Sequence, residues 1–416
     1  MVIGLDTVSS QSGRAYCADF LSRGYTVFGF SHKSVRGKEF VNTINDLEGI
    51  FLDRPQNSNG ERKAFFNLME SYVGHDLKKL VENCDFIILS EPSNYFADSV
   101  DELIAVGILE KRIPIILSPS RTFAVPYLWK KLGDFYPIAA ISTCPYSCKA
   151  PRPDTAYIKR RKRNFTVSLE GKFTLVQVAK LGELFPQALF NRIPATTSLG
   201  NIGAVLHPAT YLLNYETIVK DKNISFYMTG IANNKNVGET IEQIDQMRLL
   251  IADRIGLKTF GLIGKDRENE WQEIMDNVRK KEHGISDKNL LRKIRRDGLE
   301  ILNNSIPSLY HWLDYTYGVT RNTSDSICEV IRRTPTYQRN SVPQDRYVFE
   351  DIPTGLIPLR NLADRLGINH DAADKIINMC KQYFPQRDIS CDRTLREYSD
   401  EYIFNYLRGD FFDIRE

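Results

Sequence analysis

Short apolar runs divided by polar turns open the chain, and apolar residues at helical spacing fill the remainder. Residues 2–5 make a strand-like run, 6–12 a polar loop, 13–22 a helix and 25–30 a second strand. Compact apolar runs favour strands and three- or four-residue spacing favours helices, so this is a βαβ opening. The alternation continues with a helix near 75–82, a strand at 85–89, a helix near 99–109 and a strand at 114–117. Further strands are expected at 138–142, 165–169 and 188–193, with a helix near 174–184 between the last two. Such alternation implies a parallel sheet.

Near Ala195 the pattern changes. Leu, Ile and Tyr recur at helical intervals through 198–218, 237–255 and 361–366, which predicts an all-α second domain. Gly256 after Arg254-Ile255 and Gly367 after Arg365-Leu366 read as helix stops. The charged stretch 265–297 reads as a pair of exposed helices. The fold class is therefore α/β: a Rossmann-type parallel-sheet domain over 1–195, then a helical domain over 196–416.

Composition narrows the function classes. With 416 residues, 42% hydrophobic and 26% charged, the chain matches ordinary globular proteins of two domains. No run approaches the ~18 apolar residues of a membrane span, and the N-terminus lacks a cleavable signal, so a cytoplasmic protein is expected. A formal net charge of +3 argues against nucleic acid as the main partner. The run Lys159-Arg160-Arg161-Lys162-Arg163 reads as a solvated hairpin between strands. Seven cysteines scattered from Cys17 to Cys391 fit reduced thiols rather than a disulfide framework. Cys144 and Cys148 are the one close pair, and without a second Cys/His pair nearby no metal site is expected.

The first strand-to-helix turn is where such a fold receives a dinucleotide, on glycines and a helix N-terminus. Gly4 stands first, but Leu5-Asp6-Thr7-Val8-Ser9-Ser10-Gln11-Ser12-Gly13 lacks the G-x-G-x-x-G pattern. Ser9, Ser10 and Ser12 offer hydroxyls to phosphate in its place, whereas Asp6 would repel phosphate if it pointed inward. A polar loop without a cofactor is the alternative. After the second strand comes Ser31-His32-Lys33-Ser34-Val35-Arg36, with no carboxylate between Phe28 and Lys38. A basic, hydroxyl-bearing end accommodates the extra phosphate of NADP(H), so Ser31, Lys33 and Arg36 point to NADP, with NAD as the second choice.

Two later segments carry candidate chemistry. His207 precedes Pro208, which disfavours helical geometry before it and removes a backbone donor, so a kinked helix is expected to present this imidazole. Asp351 precedes Pro353, Gly355 and Pro358, in a turn stiff enough to hold a carboxylate in one direction. A fixed carboxylate can orient an imidazole for proton transfer near neutral pH. Arg346 has the planar fork that suits two-point binding of a substrate carboxylate. On spacing alone, ordinary structural ion pairing among Arg346, Asp351 and neighbours such as Glu350 is the better explanation of these residues.

The segment from Asn201 to Asn214 and the block from Arg346 to Pro358 together resemble the octopine/nopaline (opine) dehydrogenase family. The likeness includes Ser142-Thr143-Cys144-Pro145-Tyr146 with Lys149, Phe226-Tyr227 with Gly230, the run from Ile241 to Arg248, Trp312, Tyr317-Gly318 and Leu366-Gly367. It covers roughly residues 140 to 380 and is weak at the N-terminus. It implies a helical domain of the 6-phosphogluconate-dehydrogenase type, His207 as catalytic acid/base, Asp351 as its partner, Arg346 as a substrate-carboxylate contact and Asn201 as a further polar group in the cleft. The implied reaction is NAD(P)H-dependent condensation of an amino acid with a 2-oxo acid through an imine, in specialised metabolism or elsewhere. Two alternatives stay open: a hydroxy-acid or keto-acid dehydrogenase of the same architecture, and a non-catalytic sensor of nucleotide or substrate. Apolar helical faces leave room for a homodimer.

Overall fold

The computed structural model describes residues 1–55, 62–221, 223–322, 324–338, 340–343 and 346–412, apart from the side chains of 288 and 289. Asp345, the residue before the block from Arg346 to Pro358, lies outside them. Two compact units divide the chain: Met1–Ser120, Leu128–Lys162 and Leu169–Leu184 form the first, and Arg121–Tyr127, Arg163–Ser168 and Phe185–Glu416 the second. A single cut near Ala195 is therefore too simple, because two short excursions of the N-terminal half, 121–127 and 163–168, belong with the helical unit.

In the first unit, six parallel strands stand in the order Ile138–Ile141, Ile115–Leu117, Phe86–Leu89, Val2–Asp6, Thr26–Phe30, Tyr72–Gly74. Phe86–Leu89, Ile115–Leu117 and Ile138–Ile141 are buried at every position. Continuous apolar runs of this kind are what a parallel sheet covered on both faces requires. The chain leaves Val2–Asp6 toward Thr26–Phe30 on one side and returns to Phe86–Leu89 on the other, so the order reverses beside the first strand. Ligands of open α/β sheets bind outside the carboxyl ends of strands at such a reversal.

A second, four-stranded sheet in this unit joins Lys63–Asn67, Gly49–Asp53, Thr155–Arg161 and Tyr146–Arg152. None of these four strands was expected from the sequence, and the hairpin expected at 159–163 falls instead in and just after the strand Thr155–Arg161. Lys63–Asn67 is a short, largely exposed strand paired antiparallel with Gly49–Asp53. The expectation of a solvated basic hairpin needs correction. Arg161 pairs with Asp19, and Lys162 is buried with its ammonium on the hydroxyl of Thr143, because alternate residues of a strand face opposite sides. The helix Val35–Asp46 was also unforeseen, although Phe40, Val41 and Ile44 make its buried stripe.

The second unit is helical around Ile202–Leu212 and Lys235–Arg254. Gly256 and Gly367 take positive φ, +85° and +65°, directly after helical segments, as their positions predict. The charged stretch does form two helices, Glu268–Glu282 and Lys288–Gly298, but Trp271, Ile274, Met275 and Val278 bury one face of the former. The unit is not purely α. Lys258–Phe260 and Ser305–Pro307 form a small parallel ribbon, and Phe165–Glu170, which begins in this unit, pairs with Ala188–Asn191. No helix of the described residues is long and apolar enough to cross a membrane.

Candidate active site

Helix Ile202–Leu212 begins at Asn201, whose side-chain oxygen accepts from the backbone N–H of Ala204 at 3.4 Å, the usual duty of an asparagine at a helix N-cap. The same oxygen accepts from Arg121 Nη1 at 3.3 Å, and its amide donates to Thr122 Oγ1 at 3.2 Å. Asn201 is 1% exposed. It is thus a buried cap with both ends of its amide engaged, which corrects its reading as a polar group offered to substrate. The helix passes Pro208 without interruption and presents His207 one residue earlier, partly exposed.

His207 and Asp351 meet as the sequence reading foresaw. Nδ1 of His207 lies 2.7 Å from Oδ2 of Asp351, and because a carboxylate can only accept, Nδ1 carries the proton of this bond. Asp351 is wholly buried, and its other oxygen stands 3.0 Å from Arg121 Nη1 in an ion pair rather than an aligned hydrogen bond. Arg121 Nε donates to Glu350 Oε1 at 3.1 Å, and Arg346 Nε donates to Glu350 Oε2 at 2.7 Å. The order is Arg346, Glu350, Arg121, Asp351, His207, with charge alternating along the first four. Two buried carboxylates flanking Arg121 hold its guanidinium firmly protonated against the opposing effect of burial.

Arg121 had no part in the sequence reading. It follows Ser118-Pro119-Ser120 with no acidic residue near it, and its partners lie 229 and 230 residues later. Space at this junction is tight. A Cβ on Gly203 would stand 2.4 Å from Arg121 Nη1, and one on Gly355 2.6 Å from the Cβ of Ala204. Ile352–Leu356 is a wide helical turn running into the helix Ile357–Arg365 rather than the stiff loop turn expected, and Gly355 lets it approach the His207 helix. Arg346 does form the structural ion pair with Glu350 that spacing alone suggests, yet its side chain is half-exposed and only Nε is engaged among the described residues. Its two Nη groups are the part suited to a carboxylate.

Aromatic rings complete the surroundings of His207. Tyr347 stacks on the imidazole at 3.8 Å, and Tyr227 brings its hydroxyl to 3.1 Å from Nε2. Tyr227 in turn stacks on Tyr337 at 4.0 Å. Tyr211 and Trp312 are buried in the helical unit, and Tyr146 is buried in the first unit with its hydroxyl on Asp19.

At the nucleotide end, the helix Gln11–Leu21 starts two residues before Gly13, so the first turn is short rather than extended. Gly4 is not in that turn. It sits mid-strand between Phe28 and Ile87, where a Cβ would stand 2.9 Å from the Ile87 side chain, and it serves close strand packing. The glycine of the turn is Gly13, whose added Cβ would stand 2.5 Å from the carbonyl of Thr7, and Thr7 itself takes positive φ. Ser10 caps the helix by accepting from Gly13 N, and Ser9 accepts from the buried Ser31 hydroxyl at 2.8 Å. Lys33 and Arg36 are exposed beyond the end of Thr26–Phe30.

Asp6 and Glu91 stand together at the reversal of strand order, joined through Thr7, whose hydroxyl is 3.2 Å from Glu91. Burial raises Asp6 to about 6, and burial together with the charge of Asp6 raises Glu91 to about 8, so Glu91 is mostly uncharged at neutral pH. Among the described residues, Ser90 Oγ and Glu91 Oε1 are buried there without a hydrogen-bond partner. A close glycine turn, a helix N-terminus and unspent polar atoms fit a dinucleotide diphosphate, and the protonated Glu91 lessens the repulsion that two carboxylates would impose.

Residues 194–384 match the family model described as NAD/NADP octopine/nopaline dehydrogenase, alpha-helical domain. An opine dehydrogenase of Arthrobacter sp. (strain 1C) is 24% identical over 386 residues, covering 91% of this chain and 88% of that protein. Among solved structures, octopine dehydrogenase with NADH and pyruvate superposes with a TM-score of 0.68 at 13% identity, over the whole of both chains. Yersinopine dehydrogenase with bound NADP+ gives 0.60 at 13% identity, over 99% of this chain and 98% of its own.

Proposed function

We infer that this chain, which belongs through its helical domain to the octopine/nopaline dehydrogenase family, is an NAD(P)H-dependent oxidoreductase acting on CH–NH bonds that reductively condenses an amino acid with a 2-oxo acid. The observation that carries this reading is the 2.7 Å bond from His207 Nδ1 to Asp351, itself held by Arg121. It leaves Nε2 as the ring nitrogen that can take up and give back a proton.

In this proposal His207 removes a proton from the incoming ammonium, so that the nitrogen lone pair can attack the oxo carbon, and returns it as water departs and the imine forms. Arg346 holds a substrate carboxylate through its two Nη groups. Arg121 and Glu350 act behind them, fixing Asp351 and Arg346 in place. Bound NAD(P)H supplies the hydride that reduces the imine carbon. The turn from Thr7 to Gln11 would hold the diphosphate, with Ser9, Ser10 and Ser31 beside it. Lys33 and Arg36, with no carboxylate between Phe28 and Lys38, favour NADP(H).

The test is oxidation of NADPH by the purified protein, screened over amino acids against pyruvate, glyoxylate and 2-oxoglutarate. Oxidation that needs both amine and oxo acid is expected. Oxidation with oxo acid alone would instead establish a hydroxy-acid dehydrogenase, and none with any pair in a nucleotide-binding protein would favour a sensor. His207→Ala and Asp351→Asn are each expected to lower turnover on the order of 10²- to 10⁴-fold while the protein stays folded.

A further inference from the structure

Both ring nitrogens of His207 are already engaged inside the helical unit. With Nδ1 donating to Asp351, a neutral imidazole offers Nε2 as an acceptor with one in-plane lone pair. The Tyr227 hydroxyl, 3.1 Å away, donates into that lone pair. Tyr227 is 4% exposed, stacks on Tyr337, and has its hydroxyl hydrogen-bonded to that of Tyr347, whose ring lies on the imidazole. The phenol is held from several directions and cannot swing aside without losing these contacts. Burial among other phenols raises its ionisation well above the ordinary range, so it remains neutral.

An amine approaching His207 therefore finds no vacant nitrogen. We infer that the hydroxyl of Tyr227 is the atom through which His207 exchanges protons with substrate, an inference that rests on the acid–base role given to His207 above. The ammonium N–H bond breaks as an O–H bond forms on Tyr227, and the original O–H bond of the phenol breaks as an Nε2–H bond forms. The products are free amine, neutral Tyr227 and an imidazolium paired with Asp351. The same two transfers in reverse protonate the hydroxyl that leaves as water when the nitrogen lone pair closes the C=N bond. A phenol oxygen has two acceptor lone pairs, and the incoming ammonium needs only one of them.

Tyr227→Phe keeps the ring, its stack and its burial while removing the transferring atom. The native protein, this variant and His207→Ala are compared in single-turnover NADPH oxidation, using the amine and oxo-acid pair that reacts fastest in the screen above. Turnover of Tyr227→Phe is expected to fall on the order of 10²-fold with unchanged NADPH affinity. Rates in mixtures of light and heavy water should curve downward in the native protein, the signature of two protons moving together, and become linear in the variant. Full turnover in Tyr227→Phe beside an inactive His207→Ala would overturn the relay and leave the role of His207 standing. Reduced turnover in Tyr227→Phe with an unaltered isotope dependence would reduce Tyr227 to packing, and full turnover in His207→Ala would remove the acid–base reading along with the relay.

Discussion

The imidazole of His207 lies flat against the ring of Tyr347, with centroids 3.8 Å apart and planes 6° from parallel. Stacked rings add about 0.5–1.5 kcal/mol beyond their buried area. Here the stack fixes the plane in which Nε2 must present its lone pair. Tyr347→Leu retains apolar bulk without the flat face and is expected to lower turnover roughly 3- to 10-fold, with NADPH affinity unchanged. Steady-state kinetics alongside a fluorescence titration of NADPH checks both halves.

Arg121 neutralises Glu350 and Asp351, which are 1% and 0% exposed. Removing one partner of a buried ion pair strands the others, at a cost of about 3–5 kcal/mol. Arg121→Met is expected to lose stability of that order in urea unfolding. Arg346→Met, which removes a half-exposed pair with Glu350, should lose no more than about 1 kcal/mol. Its effect should appear in the KM for the oxo acid.

The raised Glu91 carboxyl gives stability a definite dependence on pH. Its native form, raised to about 8, holds a proton that the unfolded chain has released above its ordinary carboxylate range. Because the native state binds more protons, stability falls as pH rises between about 5 and 8, and the cost is complete above the native value. Asp6, raised to about 6, acts in the same direction. Glu91→Gln should flatten this slope and be more stable than the parent at pH 8. Denaturant midpoints at several pH values across that window measure it; parallel curves for parent and variant would refute the assignment.

Lys33 and Arg36 extend past the second strand, where a 2′-phosphate would be met. Lys33→Ala and Arg36→Ala are each expected to weaken NADPH by roughly tenfold, the scale of one charge-assisted contact to phosphate, and to leave NADH nearly unaffected. Equal weakening of both nucleotides would assign these cations to general attraction.

Much of this protein is determined by its sequence alone. Uninterrupted apolar runs such as Phe86–Leu89 and Ile115–Leu117 specify buried parallel strands, and the three- and four-residue spacing after Ala195 specifies helices. Gly256 and Gly367 mark helix ends because they adopt left-handed backbone without strain. His207 and Asp351 were legible as a pair through the family likeness of the two segments that carry them. Only the tertiary structure decided the rest. Gly4 looked like a turn glycine until strand pairing placed it beside Ile87. Asn201 looked free until the helix it caps had formed, and Arg121 was silent because its carboxylate partners lie more than two hundred residues away. Local pattern fixes what a segment can become; which buried charges and hydroxyls then face one another depends on contacts distant in sequence, and those exist only once the chain has packed.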